Sequence, residues 1–173
     1  MEHNNAVTRL NGKDAAASIT KVLTVSRVSL VSLKATSVQL TDDVMTQFEA
    51  FKMRKGRICR YIVFTLDKHG VIKVEVEGGD KDGYEQFTDH LKEIQDGCRY
   101  ALYDMTYKTA DNREGSKIVF FSWSPETAPV KSKMLYASSK AAIIRQFEGV
   151  DTVVHATDLS ELDEECVKSR FCK

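Results

Sequence analysis

The feature of this sequence that most constrains its fold is a long stretch with no internal glycine or proline. It begins at Pro129, reaches Phe147 and is followed by Gly149. Proline suits the first turn of a helix, where its missing N–H costs nothing, and glycine suits the residue just past the last turn. The stretch is therefore predicted to be a helix of about five turns.

The apolar residues of this predicted helix lie on two faces. One face has Tyr136, Ile143 and Phe147, and the second has Met134, Ala137, Ala141 and Ile144. Four cations are spaced along the same stretch: Lys131, Lys133, Lys140 and Arg145. A helix that is apolar on two sides is either fully buried or offers its second face to a partner. Burying four unpaired charges is costly, which favours a basic partner-binding face; the alternative is a core helix whose lysine stems reach out to solvent.

Composition excludes several classes of function. The chain has 173 residues with a formal net charge of zero, so we expect one main domain and no nucleic-acid partner, since nucleic-acid binding requires a basic surface. No apolar run is long enough to span a bilayer, and we expect no membrane-spanning segment. The four cysteines and four histidines fall into no metal-ligand spacing, so neither a metal nor a cofactor is expected.

The cysteines are candidate nucleophiles, because a thiolate can carry out covalent catalysis. Cys59 and Cys98 lie in strand-like surroundings and are predicted to be small buried hydrophobic residues, whereas Cys172 is predicted to be exposed. A thiol enzyme needs a base beside its cysteine, and nothing in the sequence places one there. We therefore expect a protein that is not an enzyme, with a thiol enzyme as the contrasting class.

Residues 1–35 differ from the rest of the chain. They are rich in serine and threonine, and five basic residues stand against only Glu2 and Asp14. Their apolar residues match neither a helical nor an alternating template. This segment is predicted to be an N-terminal extension, either disordered or an organelle leader, and residues 36–173 are predicted to form the domain.

Helices and strands interleave along residues 36–173. The pattern predicts a helix opening at Thr41, strands over 61–66 and 71–77, a helix containing Phe87, strands over 98–107 and 117–124, the long helix, a strand over 152–156 and a last helix. Two of the strand pairs look like hairpins, so the prediction is an α/β fold with a mixed sheet and helices on both faces.

Four details of this pattern can be checked. Ile72, Val74 and Val76 are predicted to face inward together, and strand 117–124 to be central because its apolar run is unbroken. Asp158 and Glu161 resemble a capping box that opens a helix running toward Lys173. The core candidates of that last helix are Leu159, Leu162 and Val167.

Residues 116–140, which contain Phe120-Phe-Ser-Trp-Ser124 and Met134-Leu-Tyr-Ala-Ser-Ser-Lys140, resemble the actin-depolymerising factor/cofilin family. Cys98–Asp104 and Ala156–Glu161 match that family in order and spacing, and the resemblance covers about residues 37–173. It implies the ADF-homology fold, a central mixed β-sheet sandwiched between α-helices.

The resemblance also implies a function. Such a protein binds actin monomers and filaments and promotes filament severing and depolymerisation, with the long helix entering the cleft between two actin subdomains. By position, the surface that contacts both monomers and filaments has Lys131, Lys133, Met134, Ser139, Lys140 and Arg145. The filament-specific surface has Lys117, Arg170 and Lys173. The protein would be a monomer of the cytoplasm and actin cytoskeleton, with access to the nucleus as a further expectation.

Phosphoinositide headgroups are a further expected partner, because Lys131, Lys133 and Lys140 would bind either lipid or actin. Ser37 is the positional match to the family's phosphorylated serine, where added negative charge would repel an acidic partner.

The chain departs from the family pattern in three places. Ala141 replaces an acidic residue, Ile144 replaces one of two paired cations, and Ser37 follows an extension rather than starting the chain. The first two changes slightly favour a rival interpretation, in which the same fold binds the branch-nucleating complex or binds filaments without cutting them.

Overall fold

Six strands and four helices follow one another in the part of the chain that the computed structural model describes, residues 38–53, 59–109 and 111–171. They are β1 (Gln39–Leu40), α1 (Asp42–Met53), β2 (Tyr61–Leu66), β3 (Val71–Gly78), α2 (Tyr84–Glu93), β4 (Arg99–Lys108), β5 (Glu114–Trp123), α3 (Val130–Gln146), β6 (Thr152–Ala156) and α4 (Glu164–Ser169), with a 3-10 turn at Ser160–Leu162. The predicted order is confirmed. Only the short strand β1 was not anticipated. The predictions for residues 1–35, Ser37, Cys172 and Lys173 lie outside the described residues.

The strands form one mixed sheet in the order β1-β3-β2-β4-β5-β6. The hairpins β2–β3 and β4–β5 are antiparallel, as is the pairing of β2 with β4. The outer strands β1 and β6 each pair in parallel with a neighbour. Strand β5 is paired on both sides, but the two central positions belong to β2 and β4, so the predicted central position of β5 is wrong.

Each face of the sheet is covered by a pair of helices. The α1/α3 layer packs Phe48, Tyr136 and Phe147 against sheet residues such as Phe64 and Tyr100. The α2/α4 layer packs on the other face of the sheet and forms a second buried cluster. Its helices contribute Tyr84, Phe87, Leu91 and Val167, which pack against sheet residues such as Tyr103, Met105 and Phe121. The predicted sandwich of a mixed sheet between helices is therefore confirmed.

Strand β3 corrects one prediction, because it has a β-bulge. Val63 of β2 lies opposite Val76, but the next residue, Phe64, lies opposite Val74, which leaves Glu75 as an extra residue. An extra residue reverses the alternation of faces beyond it. Val74 therefore packs in the α1/α3 layer and Val76 in the α2/α4 layer, rather than both on one face.

The last helix also differs from its prediction. The Asp158 carboxylate accepts hydrogen bonds from the backbone N–H groups of Ser160 at 2.8 Å and Glu161 at 3.2 Å, as a cap should. The turn it opens ends at Leu162, however, and Asp163 caps a new helix by accepting from Cys166 N at 3.1 Å. Leu162 and Val167 are buried as predicted, whereas Leu159 is 46% exposed and is not a core residue.

The β4–β5 hairpin is longer than its neighbours. Its pairing runs from Arg99 opposite Trp123 to Lys108 opposite Glu114, so the loop between the strands predicted over 98–107 and 117–124 is shorter than expected. Strand β2 pairs only with Tyr100–Tyr103, and β6 only with Val119–Trp123. Residues Met105–Lys108 and Glu114–Lys117 therefore extend past both neighbouring strands, and we call them the hairpin end.

Candidate protein-binding surface

One face of α3 is fixed to the sheet by tyrosine hydrogen bonds. The Tyr136 hydroxyl accepts from the backbone N–H of Leu66 at 2.7 Å. The Tyr100 hydroxyl donates to the backbone carbonyl of Tyr136, and the two rings are 4.7 Å apart. Both tyrosines are buried, so these bonds are shielded from water. The inner face of α3 is thus held in one position.

The opposite face of α3 is exposed and free of carboxylates. Val130 is 71% exposed and Met134 is 67% exposed. The other exposed residues of α3 that share this side are Lys131, Ala137, Ser138, Ala141 and Arg145. No acidic residue occurs anywhere in α3. The interpretation of a helix packed on its own core with a second, basic and apolar face is therefore confirmed. The fully buried alternative is wrong.

Ser139 does not belong to this exposed face. It is 3% exposed, and its hydroxyl donates to the carbonyl of Leu135. The reason is helical spacing, since Tyr136, Ser139 and Ile143 fall at i, i+3 and i+7 on the buried side. A direct contact between the Ser139 side chain and a partner is not available in this structure, and its neighbour Ser138 is the exposed serine.

The other predicted cations of α3 occupy two environments. Lys131 and Arg145 are exposed, whereas Lys133 and Lys140 are half-buried. The ammonium of Lys133 donates to the carbonyl of Glu126 at 2.9 Å, which ties it to the loop before the helix. The exposed cations are therefore the ones best placed to meet a partner first.

The two family departures in α3 have different structural meanings. Ala141 is exposed, so the missing carboxylate changes the charge of the open face directly. Ile144 is half-buried and packs against the α1/α3 core, so an apolar core contact stands where the family resemblance predicts a cation. The sequence-based grouping of Ile144 with the exposed residues is thus only partly right.

The predicted filament-specific residues lie on the other side of the sheet. Lys117 is at the hairpin end, and its ammonium lies 5.9 Å from the ring centroid of Tyr107 and 5.4 Å from that of Phe171. Arg170, next to Phe171, is exposed. The structure therefore brings Lys117 to the C-terminal turn. Tyr107 and Phe171 were not predicted from the sequence; the one available signal was that Tyr107 alternates with Tyr103 and Met105.

The two cysteines weighed as nucleophiles, Cys59 and Cys98, lie in different environments. Cys98 is buried as predicted, and Cys59 is half-exposed rather than buried. Burial and the nearby Glu77 carboxylate raise the pKa of Cys59 to about 11. Since the thiolate is the nucleophile, this cysteine is protonated and weakly reactive at neutral pH.

Neither a metal cluster nor a membrane helix occurs in the described residues. Within the ranges 38–53, 59–109 and 111–171, no three His, Cys, Asp or Glu side chains are grouped so as to bind a metal ion. No helix in those ranges combines the length and apolar character needed to cross a membrane.

A mixed sheet between two helical layers, with one helix offering a rigid basic and apolar face, has the character of a domain that binds another protein. Comparison with known proteins gives the family. Residues 37–172 match the cofilin/tropomyosin-type actin-binding proteins, and the chain belongs to this family.

Individual relatives agree with the family match. Actin-depolymerizing factor 2 of Zea mays is 44% identical over 137 residues, covering 79% of this chain and 96% of that protein. Cofilin of Yarrowia lipolytica is 36% identical over 143 residues, covering 82% and 91%. The crystal structure of Streptomyces griseoflavus cofilin superposes with a TM-score of 0.68 at 34% identity, covering 78% of this chain and 96% of that one. The predicted ADF-homology fold is confirmed.

Proposed function

We propose that this protein binds actin monomers and filaments and promotes filament severing and depolymerisation without any enzymatic chemistry. The observation that carries the proposal is the exposed face of α3 in a chain of this family. Met134 lies on that face with 67% of its surface exposed, and Lys131 and Arg145 flank it.

The α3 face suits insertion into an apolar cleft between two actin subdomains. Val130 and Met134 would supply apolar contact, and Lys131, Lys140 and Arg145 would meet acidic groups of actin. This is the helix-in-groove mode of recognition, with the charges setting encounter rate and orientation. Because the tyrosine bonds already fix α3, binding costs little further ordering of its backbone.

The second contact surface would engage filaments only. Lys117 and Arg170 lie on the α2/α4 side of the sheet, opposite the layer that contains α3, and Lys173 would extend the same surface. One molecule would then contact two neighbouring filament subunits. A protein that binds the twisted filament state more tightly shifts filaments toward that state, and this would promote severing and disassembly.

Paired substitutions test the α3 face. Met134→Ala and Arg145→Ala are exposed changes, so they should leave folding intact and weaken binding to both monomers and filaments by about tenfold each, as expected for anchor residues. Lys81→Ala, an exposed cation before α2, is the matched control and should bind like wild type. Fluorescence titration of monomers and filament sedimentation give the two affinities. Unchanged affinities for both forms in the α3 variants would remove this surface from the proposal.

Substitutions on the opposite layer test the second surface. Lys117→Ala and Arg170→Ala should weaken filament sedimentation while monomer affinity stays the same. Equal losses of affinity for monomers and for filaments would show that Lys117 and Arg170 do not form a filament-specific surface.

The division of the chain at residue 36 is tested by truncation. We propose that residues 36–173 form the actin-binding domain and that residues 1–35 are a separate extension. If the full chain and a chain beginning at Thr36 both shorten filaments, the extension is incidental; if only the shorter chain does, the extension is inhibitory. Ser37→Glu, compared with Ser37→Ala, tests whether negative charge at that position weakens binding.

A rival function keeps the fold and changes the partner. The exposed Ala141, where the family has a carboxylate, is the observation that favours it. Strong monomer binding without filament shortening would support the rival, and Ala141→Asp would then be expected to restore shortening.

We propose that the protein is a monomer of the cytoplasm and actin cytoskeleton, with access to the nucleus. In the cytoplasm, phosphoinositide binding would inhibit its binding to actin. Lys131, Lys133 and Lys140 would bind the headgroups in competition with actin. Replacing all three by alanine should abolish binding to phosphoinositide vesicles, and intact vesicle binding would exclude this role.

A further inference from the structure

Two aromatic rings and a lysine meet at the hairpin end, on the side of the α2/α4 layer. The Lys117 ammonium lies within 6.0 Å of both ring centroids, at 5.9 Å from Tyr107 and 5.4 Å from Phe171. The rings contact each other edge to face, with centroids 5.3 Å apart and an interplanar angle of 65°. These separations are within the range of cation–π and aromatic attraction.

A glycine allows the Tyr107 ring to lie where it does. Gly115 is the cross-strand partner of Tyr107, and a Cβ on Gly115 would lie only 2.9 Å from Cζ of that ring. The ring therefore covers the glycine instead of standing beside a side chain, an arrangement known to stabilise sheets. Any larger residue at 115 would displace the ring from its present position near Lys117 and Phe171.

Phe171 contributes the second ring from the end of the chain. It is half-buried and packs against the core of the α2/α4 layer. Its backbone N–H donates to the Lys168 carbonyl at 3.1 Å, which continues the turn after α4. The C-terminal turn is thus attached to the hairpin end through an aromatic contact.

We propose that Tyr107, Gly115 and Phe171 are positioning residues for the filament surface, which hold the Lys117 ammonium in the place where a filament subunit meets it. This inference rests on the proposed function, since it takes Lys117 to be a filament contact. A lysine on a flexible stem loses rotamer freedom when it binds. A lysine already restrained by two rings loses less, so its contact contributes more to affinity.

A double-mutant cycle tests the proposal. Phe171→Ala should weaken filament binding by about two- to fivefold, the range expected from one cation–π contact, and leave monomer binding unchanged. Phe171→Tyr, which keeps the ring, should restore wild-type binding. In the Lys117→Ala background, Phe171→Ala should have no further effect, because a positioning residue acts only through the group that it positions. Leu159→Ala, which removes an exposed apolar residue near α4, is the control.

Gly115→Ala supplies a second variant that keeps all the charges and rings. It should lower filament affinity as Phe171→Ala does, and in both variants the NMR signals of the Lys117 side chain should lose the upfield shift that ring faces cause. Equal losses of filament affinity with and without Lys117, or no loss at all, would overturn the inference alone. A wild-type chain that does not sediment with filaments would overturn the proposed function, and the inference with it.

Discussion

At the scale of single residues, a few buried polar atoms decide how firmly α3 is held against the sheet. The Tyr136 hydroxyl is the acceptor for the Leu66 N–H, and both groups are buried. A buried N–H left without an acceptor keeps its full desolvation cost. The hydroxyl of Tyr136 therefore matters for stability although it makes no contact with a partner.

Tyr136→Phe should lower the free energy of unfolding by about 1–3 kcal/mol, the cost of an unsatisfied buried donor. Urea denaturation measures the loss. Val130→Ala, on the exposed side of the same helix, is the control and should change stability by less than about 0.5 kcal/mol. A Tyr136→Phe protein as stable as wild type would mean that Leu66 N–H finds another acceptor.

Cys59 gives a residue-scale prediction about reactivity. Its raised pKa of about 11 leaves very little thiolate at pH 8. Iodoacetamide at pH 8 should therefore modify Cys59 at least about tenfold more slowly than a free thiol whose pKa is about 8.5. Peptide mapping by mass spectrometry follows the rate. Removing the nearby negative charge with Glu77→Gln should speed the reaction, and rapid modification of the wild-type thiol would contradict the assigned environment.

Residue spacing predicted the inner face of α3 well but could not place its serines. Tyr136, Ile143 and Phe147 are large and apolar, so their period alone identifies the buried side. Ser139 is small and satisfies its own hydroxyl by bonding to the Leu135 carbonyl, so its burial costs little and leaves no trace in a hydrophobicity pattern.

At the scale of secondary-structure elements, the bulge in β3 does the most to shape the sheet. It turns Val76 to the α2/α4 layer and leaves Glu75 as the extra residue. Glu75 is bound by both Nε and Nη2 of Arg99 from β4, on the far side of β2. The Arg99 side chain is 18% exposed and the Glu75 side chain is 30% exposed, so this ion pair is partly shielded from water.

The Glu75–Arg99 pair should therefore show a coupling free energy of about 1 kcal/mol in a double-mutant cycle with alanine, more than an exposed pair gives. The Lys92–Asp89 pair on α2, with side chains 47% and 55% exposed, is the matched control and should couple by less than about 0.5 kcal/mol. High salt should reduce the control more than the partly buried pair. Equal coupling in both pairs would show that the two-nitrogen geometry adds nothing.

Element boundaries were harder to predict than element types. The apolar residues of β3 still alternate in the sequence, so the pattern does not reveal the extra residue. That residue nevertheless reverses the face of the sheet to which Val76 points. The Asp158 cap was recognised, but not that Asp163 would cap again five residues later, because both aspartates carry the same signal. The order of strands in the sheet depends on long-range pairing, and the sequence predicted only its mixed character.

At the scale of the whole molecule, titratable groups define a pH range of stability. Burial raises the pKa of Cys59 to about 11 and raises the pKa values of Tyr61, Tyr103 and Tyr136 above their ordinary range. Backbone hydrogen bonds that stabilise the ionised form lower the pKa of the Asp67 carboxyl.

For the cysteine and tyrosines, the folded chain keeps protons that the unfolded chain releases, so their contribution is complete below about pH 9 and is lost as the pH rises toward 11. For Asp67 the sign is opposite, and its contribution is lost as the pH falls below about 4. The free energy of unfolding, measured by urea denaturation between about pH 3 and pH 11, should be constant near neutral pH and should fall at both the acidic and the alkaline end. Cys59→Ala should make the alkaline fall shallower, and an unchanged slope would contradict the assigned pKa.

The topology of the sheet has a consequence for how the domain is made. The hairpins β2–β3 and β4–β5 join neighbours in sequence, and such local contacts form early in folding. Strand β6 instead pairs in parallel with β5, and a parallel pair needs a long crossover, which here is α3 itself. The helix that we propose to face actin is thus also the connection that joins β6 to the sheet. On the ribosome, residues 130–146 emerge before residues 152–156, so α3 and its partners in β2 and β4 are available before β6 has been synthesised. A chain interrupted before β6 would lack Val154 and Ala156 of the α2/α4 core, so the domain that supports α3 is complete only near the end of synthesis.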